Sequence, residues 1–96
     1  MENLLGKTEA EAPIFAGGKD GTLTLHEKGL VYDGPGVNGK IIAPYTYVEK
    51  LEKGKELMLG KMEVRLVLMS ALGERFDLKF AIAEHYYHVL KAKVGR

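Results

Sequence analysis

Between Gly21 and Phe80 apolar and polar residues alternate in short runs separated by turn-forming residues, and after Ile82 the spacing lengthens to that of a helix. In Gly21–His26, Leu23 and Leu25 fall on one face while Thr22, Thr24 and His26 fall on the other, the period of a half-buried strand. Glu27-Lys28-Gly29 turns the chain into Leu30–Asp33, and a loop over Gly34–Gly39 leads to Lys40–Ala43. Pro44 has no N–H to give a ladder and marks a bend before Tyr45–Leu51. Glu52–Lys55 predicts a further turn, and Gly60-Lys61, between Glu56–Leu59 and Met62–Met69, suits a two-residue type II′ hairpin. Ser70–Gly73 turns into Glu74–Phe80, where Phe76, Leu78 and Phe80 alternate with Arg75, Asp77 and Lys79. From Ile82 to Val94 the stripe Ile82, Tyr86, Val89, Leu90 and Val94 predicts an amphipathic helix, with Lys91 and Lys93 suited to its negative end. About seven antiparallel strands and one C-terminal helix make the expected class mainly β.

Residues 1–13 carry Glu and Ala with one apolar pair, Leu4-Leu5, and are expected to form a flexible arm. Residues 14–96 then form a single domain, with Phe15 laid against its core. Gly17-Gly18 lacks the spacing and the following helix of a phosphate loop and reads as a turn or linker.

Composition narrows the function classes. The chain has 96 residues, enough for one domain with a modest core. With 14 Lys and Arg against 13 Asp and Glu, the net charge of +1 gives no basic field for a polyanion, so nucleic acid is not an expected partner. The absence of cysteine excludes disulfides, thiolate metal sites and cysteine nucleophiles. A high charged fraction without Gln or Trp leans toward a thermostable protein. The longest uncharged apolar run, Leu66–Met69, is far short of the ~20 residues of a membrane helix, and no basic-then-apolar leader opens the chain. The expectation is a cytoplasmic protein without integral membrane association.

No spacing pairs carboxylates, histidines or hydroxyls into catalytic machinery, so neither an enzyme nor a cofactor is expected. His85 and His88 lie beside Glu84 on the helix but lack a third metal ligand, and read as solvated histidines partnered by Glu84. Tyr45, Tyr47 and Tyr86 read as packing residues and Tyr87 as the exposed tyrosine. Glu49–Glu56 mixes both signs and reads as a solvated hairpin end. The remaining signal is an apolar excess at Leu57, Met58, Leu59, Met62, Val67 and Met69. Alternation cannot turn all six inward, so part of this set is expected either to meet a partner protein or a second copy, or to be wrapped by the arm.

The run Gly-Thr-Leu-Thr-Leu-His-Glu-Lys-Gly-Leu-Val-Tyr from Gly21, with Ile-Ala-Pro-Tyr-Thr-Tyr-Val from Ile42, resembles the pleckstrin-homology-like superfold over residues 14–94, specifically its GRAM and prokaryotic PH-like branch. That resemblance implies a bent barrel of seven strands in two near-orthogonal sheets, one end stoppered by the helix, in a non-enzymatic binding module. Many members of that superfold bind phosphoinositides, peptides or other proteins; together with the apolar excess and the lack of catalytic machinery, the expectation is protein–protein interaction or self-association, with lipid or small-amphiphile binding at the barrel mouth or a tyrosine-lined groove as the alternative. The phosphoinositide cradle of such domains is not matched: the corresponding positions offer Lys28, Tyr45 and Arg75, with Glu27 and Glu74 beside them.

Overall fold

The computed structural model describes residues 2–35 and 39–95. Seven strands, β1 (Thr8–Ala16), β2 (Lys19–His26), β3 (Gly29–Asp33), β4 (Ile41–Pro44), β5 (Val48–Glu56), β6 (Lys61–Met69) and β7 (Arg75–Ala83), precede helix α1 (Glu84–Val94). They form one antiparallel sheet in the order β4-β3-β2-β1-β7-β6-β5. This single sheet does not close: β4 and β5 are its edges. Part of the expected loop over 34–39, residues 36–38, lies outside the described residues.

The expected arm is corrected first: residues 8–13 belong to β1, which pairs with β2 along nearly its whole length from Thr8↔His26 to Ala16↔Lys19. Ala12 and Ile14 point inward and are buried, while Glu11, Pro13 and Phe15 point outward. Phe15 therefore does not lie against the core, being 47% exposed. Pro13 is tolerated in a strand placed mid-sheet because β1 meets β7 only from Ile14↔Ile82 onward. Gly17 and Gly18 have φ of 57° and 81°, the positive pair that a tight hairpin between β1 and β2 demands.

The second hairpin also differs from expectation. Gly54 does not turn the chain but lies inside β5, at an irregularity in pairing between Lys53 and Glu56. A Cβ there would sit 3.1 Å from that of Glu63, so glycine lets the two strands approach. Glu56–Leu59 is accordingly not a separate strand, and the turn falls at Met58–Gly60. Tyr45–Tyr47 forms a 3-10 turn, so β5 starts at Val48.

At the C-terminal end, the alternation Phe76, Leu78, Phe80 carries on through Ile82, which is a strand residue and fully buried. Helix α1 begins two residues later, and its inward face turns by about one residue. Tyr87 and Leu90 are buried, correcting the expectation that Tyr87 is exposed, and Val89 is 36% exposed. The helix packs on β6, β7 and the Tyr45–Tyr47 turn. Lys93 pairs with Glu9 of β1, tying the end of α1 to the first strand. Gly95, at φ 77°, ends the helix by giving its N–H to Lys91 O at 3.0 Å. The inward faces of all seven strands, with Tyr87 and Leu90, form one apolar cluster.

Candidate functional site

Three exposed apolar residues, Leu57, Met58 and Leu59, gather where β5 turns into β6. Leu57 N–H donates to Lys61 O at 2.7 Å and closes a three-residue loop of Met58, Leu59 and Gly60. Leu59 takes φ 65°, ψ 32°, the only positive φ of a non-glycine among the described residues. A branched side chain in that region costs roughly 1–2 kcal/mol. Within the fold the strain brings no burial in return: Met58 is 84% and Leu59 92% exposed, with Leu57 at 40%.

Beside this tip, a groove of about 280 Å³ runs over the outer face of the sheet. Its making is visible in the register: Phe15 of β1 lies opposite Ala81 of β7, and Ala81 opposite Glu63 of β6. Phe15 and Leu57 form apolar walls, Ala81 offers only a methyl group between them, and Glu63 and Lys79 bring charge to the lining. A small residue between large exposed ones leaves room for an incoming apolar side chain.

The six-residue apolar set of the sequence splits. Leu57, Met58 and Leu59 are on the surface, but Met62 and Val67 are buried and cannot meet a partner. Met62 opens the inward series Met62, Val64, Leu66, Leu68. Val67 faces outward, opposite Asp77 and Lys50, yet has no exposure. Long charged side chains lie over this part of the face and exclude water with their stems. Arg65 Nε and Nη2 donate to Asp77 Oδ1 and Oδ2 at 3.0 and 2.6 Å, and Nη1 to Glu52 Oε1 at 3.1 Å. Arg75 reaches Glu49 at 3.8 Å. The Arg65 bonds hold the Asp77 carboxyl below its ordinary pKa. Met69 is half-buried opposite Arg75, at the far end of β6 from the tip.

Lys28 and Tyr45 do come together, through main chain: Tyr45 N–H donates to Lys28 O at 3.1 Å. The Tyr45 hydroxyl, however, donates to His26 O at 2.7 Å, and burial followed by the charge of Glu9 pushes its pKa up to about 12. Arg75 is engaged with Glu49. On α1, His88 Nε2 lies 3.6 Å from Glu84 Oε1 and the His85 ring packs against that of Tyr86 with centroids 4.1 Å apart and planes tilted by 37°. Among the described residues no three His, Asp or Glu side chains are placed to hold a metal ion, and no helix is long and apolar enough to cross a membrane.

Sequence reasoning missed Phe15 as a surface residue, because β1 was hidden, and missed His26 as a buried one. His26 is 6% exposed, with Nδ1 3.2 Å from Gly6 O. Its alternation with Leu25 placed it outward, as found, but gave no sign that residues 5–7 cover it.

No family model and no curated protein matches this chain. Among solved structures it is similar to the C-terminal domain of an unknown protein from Leishmania infantum, with a TM-score of 0.55 at 13% identity, over 90% of this chain and 80% of that one. The likeness is one of fold.

Proposed function

We propose that this chain is a non-enzymatic PH-like binding module whose working surface is the β5–β6 tip with its adjoining groove, and that it acts by protein–protein contact, in the first instance with a second copy. One observation carries this reading: Leu59 is held in a strained backbone conformation that presents it, with Met58, almost wholly to solvent. Strain kept without a packing return in the free protein is characteristic of a functional contact. Knob and groove lie side by side, so two copies related by a two-fold axis can each seat Met58 or Leu59 between the other's Phe15 and Leu57. The PH-like reading is supported by the narrow junction of β1 with β7, which leaves a lobe of four strands and a lobe of three bent about a shared core. Lipid or amphiphile binding at Lys28, Tyr45 and Arg75 has less support, since the Tyr45 hydroxyl and Arg75 already have internal partners.

Light scattering over a concentration series tests the reading. The unaltered chain is expected to gain mass with concentration, and the double variant Met58→Lys, Leu59→Lys to stay monomeric with unchanged thermal unfolding. Identical masses for the two proteins at every concentration would remove self-association from the reading.

A further inference from the structure

The segment ahead of β1 is held in a small site of its own. Leu5 is 3% exposed yet stands outside the main core cluster. It sits over Gly29, where a Cβ would come within 2.6 Å of Leu5 Cδ2. Four hydrogen bonds fix the main chain that follows. Lys28 N–H donates to Leu5 O at 2.8 Å and Glu27 N–H to Lys7 O at 3.0 Å. Lys7 N–H donates to Glu27 Oε1 at 2.7 Å, and His26 Nδ1 lies 3.2 Å from Gly6 O. A carbonyl oxygen only accepts, so Nδ1 carries the proton in that last bond.

Three features separate this arrangement from ordinary core packing. All four bonds join residues 26–28 to main-chain atoms of the segment, so they read its backbone where the 3-10 turn Glu2–Leu5 ends and the chain enters β1. Selectivity rests on two positions: Leu5 as the buried anchor, and Gly6, which has φ 84° and whose Cβ would meet Glu27 Oε1 at 2.8 Å. Leu4, by contrast, is 73% exposed and contributes no anchor. Main-chain bonds that supply affinity, joined to one side-chain pocket that supplies selectivity, are a recurring means of peptide recognition.

We infer that the socket formed by His26, Glu27, Lys28 and Gly29 is a peptide-recognition site for segments carrying leucine followed by glycine, and that residues 4–7 are its tethered occupant, exchangeable for such a segment from another chain. The tether keeps the local segment at an effective concentration in the millimolar range, so an outside peptide competes well only once the anchor is weakened. This inference is independent of the tip.

The probe is a capped peptide of residues 3–8, titrated into the full chain carrying Leu5→Asp and followed by the amide signals of residues 27–29. Saturable shifts are expected at those amides, with at least tenfold tighter binding than to the unaltered chain, and none with a peptide carrying Gly6→Val. A folded Leu5→Asp chain that ignores the peptide, or that binds both peptides alike, overturns the inference. Should Leu5→Asp fail to fold, hydrogen exchange in the unaltered chain decides. If residues 4–7 lift away alone, the Glu27 and Lys28 amides exchange at least tenfold faster than those of Leu23 and Leu25. Equal protection makes the segment an integral part of the fold and overturns the inference.

Discussion

Tyr32 on β3 and Phe80 on β7 pack with ring centroids 5.8 Å apart and planes tilted by 46°, although β2 and β1 lie between their strands in the sheet. Three strand steps of about 4.8 Å would hold such positions roughly 14 Å apart on a flat sheet. The contact shows the single sheet curling about its core, against which α1 packs. Phe80→Ala is expected to lower the unfolding free energy by about 3–5 kcal/mol, and Tyr32→Phe, which loses only the hydroxyl bond to Pro35 O, by about 1. Urea denaturation measures both. A loss under about 1 kcal/mol for Phe80→Ala would show that this contact does not hold the curled sheet together.

Strain at the tip predicts a stabilising change. Leu59→Asn keeps the loop and suits the left-handed backbone, so stability is expected to rise by roughly 0.5–1 kcal/mol. The denaturation midpoint of the dilute protein reports this. A fall would mean that Leu59 packs against its own chain, contrary to its exposure.

The Arg65–Asp77 pair predicts an acid dependence. Because the folded-state pKa of Asp77 lies below its ordinary value of 3.8, its contribution is present above that value and is lost as pH falls through the lower folded value. Both groups are exposed enough for solvent to screen them, so the effect is small and weakens in salt. Denaturation midpoints at neutral pH and below pH 4 should differ less for Asp77→Asn than for the unaltered chain. Equal pH dependence in the two proteins would deny the pair any role.

Tyr45 predicts the opposite limb. Its pKa is raised to about 12, so its contribution is full below the ordinary value of 10.0 and is lost as pH rises toward the folded value. In a phenolate absorbance titration Tyr45 should ionise late, alongside Tyr32, whose burial also raises its pKa, and Tyr45→Phe should reduce the amplitude of that late step. A titration in which all five tyrosines ionise together near 10 would contradict its burial and its bond to His26 O.

Strands β2 and β7 were legible because leucine and phenylalanine alternate with polar residues there, and β3 and β6 because short apolar runs are bounded by turn residues. β1 was not, since its inward side is carried largely by Ala10 and Ala12, whose single methyl groups give a weak core signal although they alternate with Glu9 and Glu11, and Pro13 argues against a mid-sheet strand until the late start of β7 pairing is known. Gly54 reads as a turn when it serves a close strand approach. The candidate site was legible at Leu57, Met58 and Leu59 from an apolar excess that alternation could not turn inward. Its other wall, Phe15, depends on pairing between β1 and β7 across more than sixty residues of chain, which no local pattern encodes. Val67 was misplaced for a related reason, because the charged side chains over its outward face are assembled from β5, β6 and β7.

Following amide signals while the protein is diluted from millimolar to micromolar concentration tests the tip most directly. Self-association through it predicts shifts confined to residues 15–17, 57–63 and 79–81, all of them lost in Met58→Lys, Leu59→Lys. Spectra that do not change on dilution, or changes centred on the equally exposed Leu72 at the β6–β7 turn, would contradict the account.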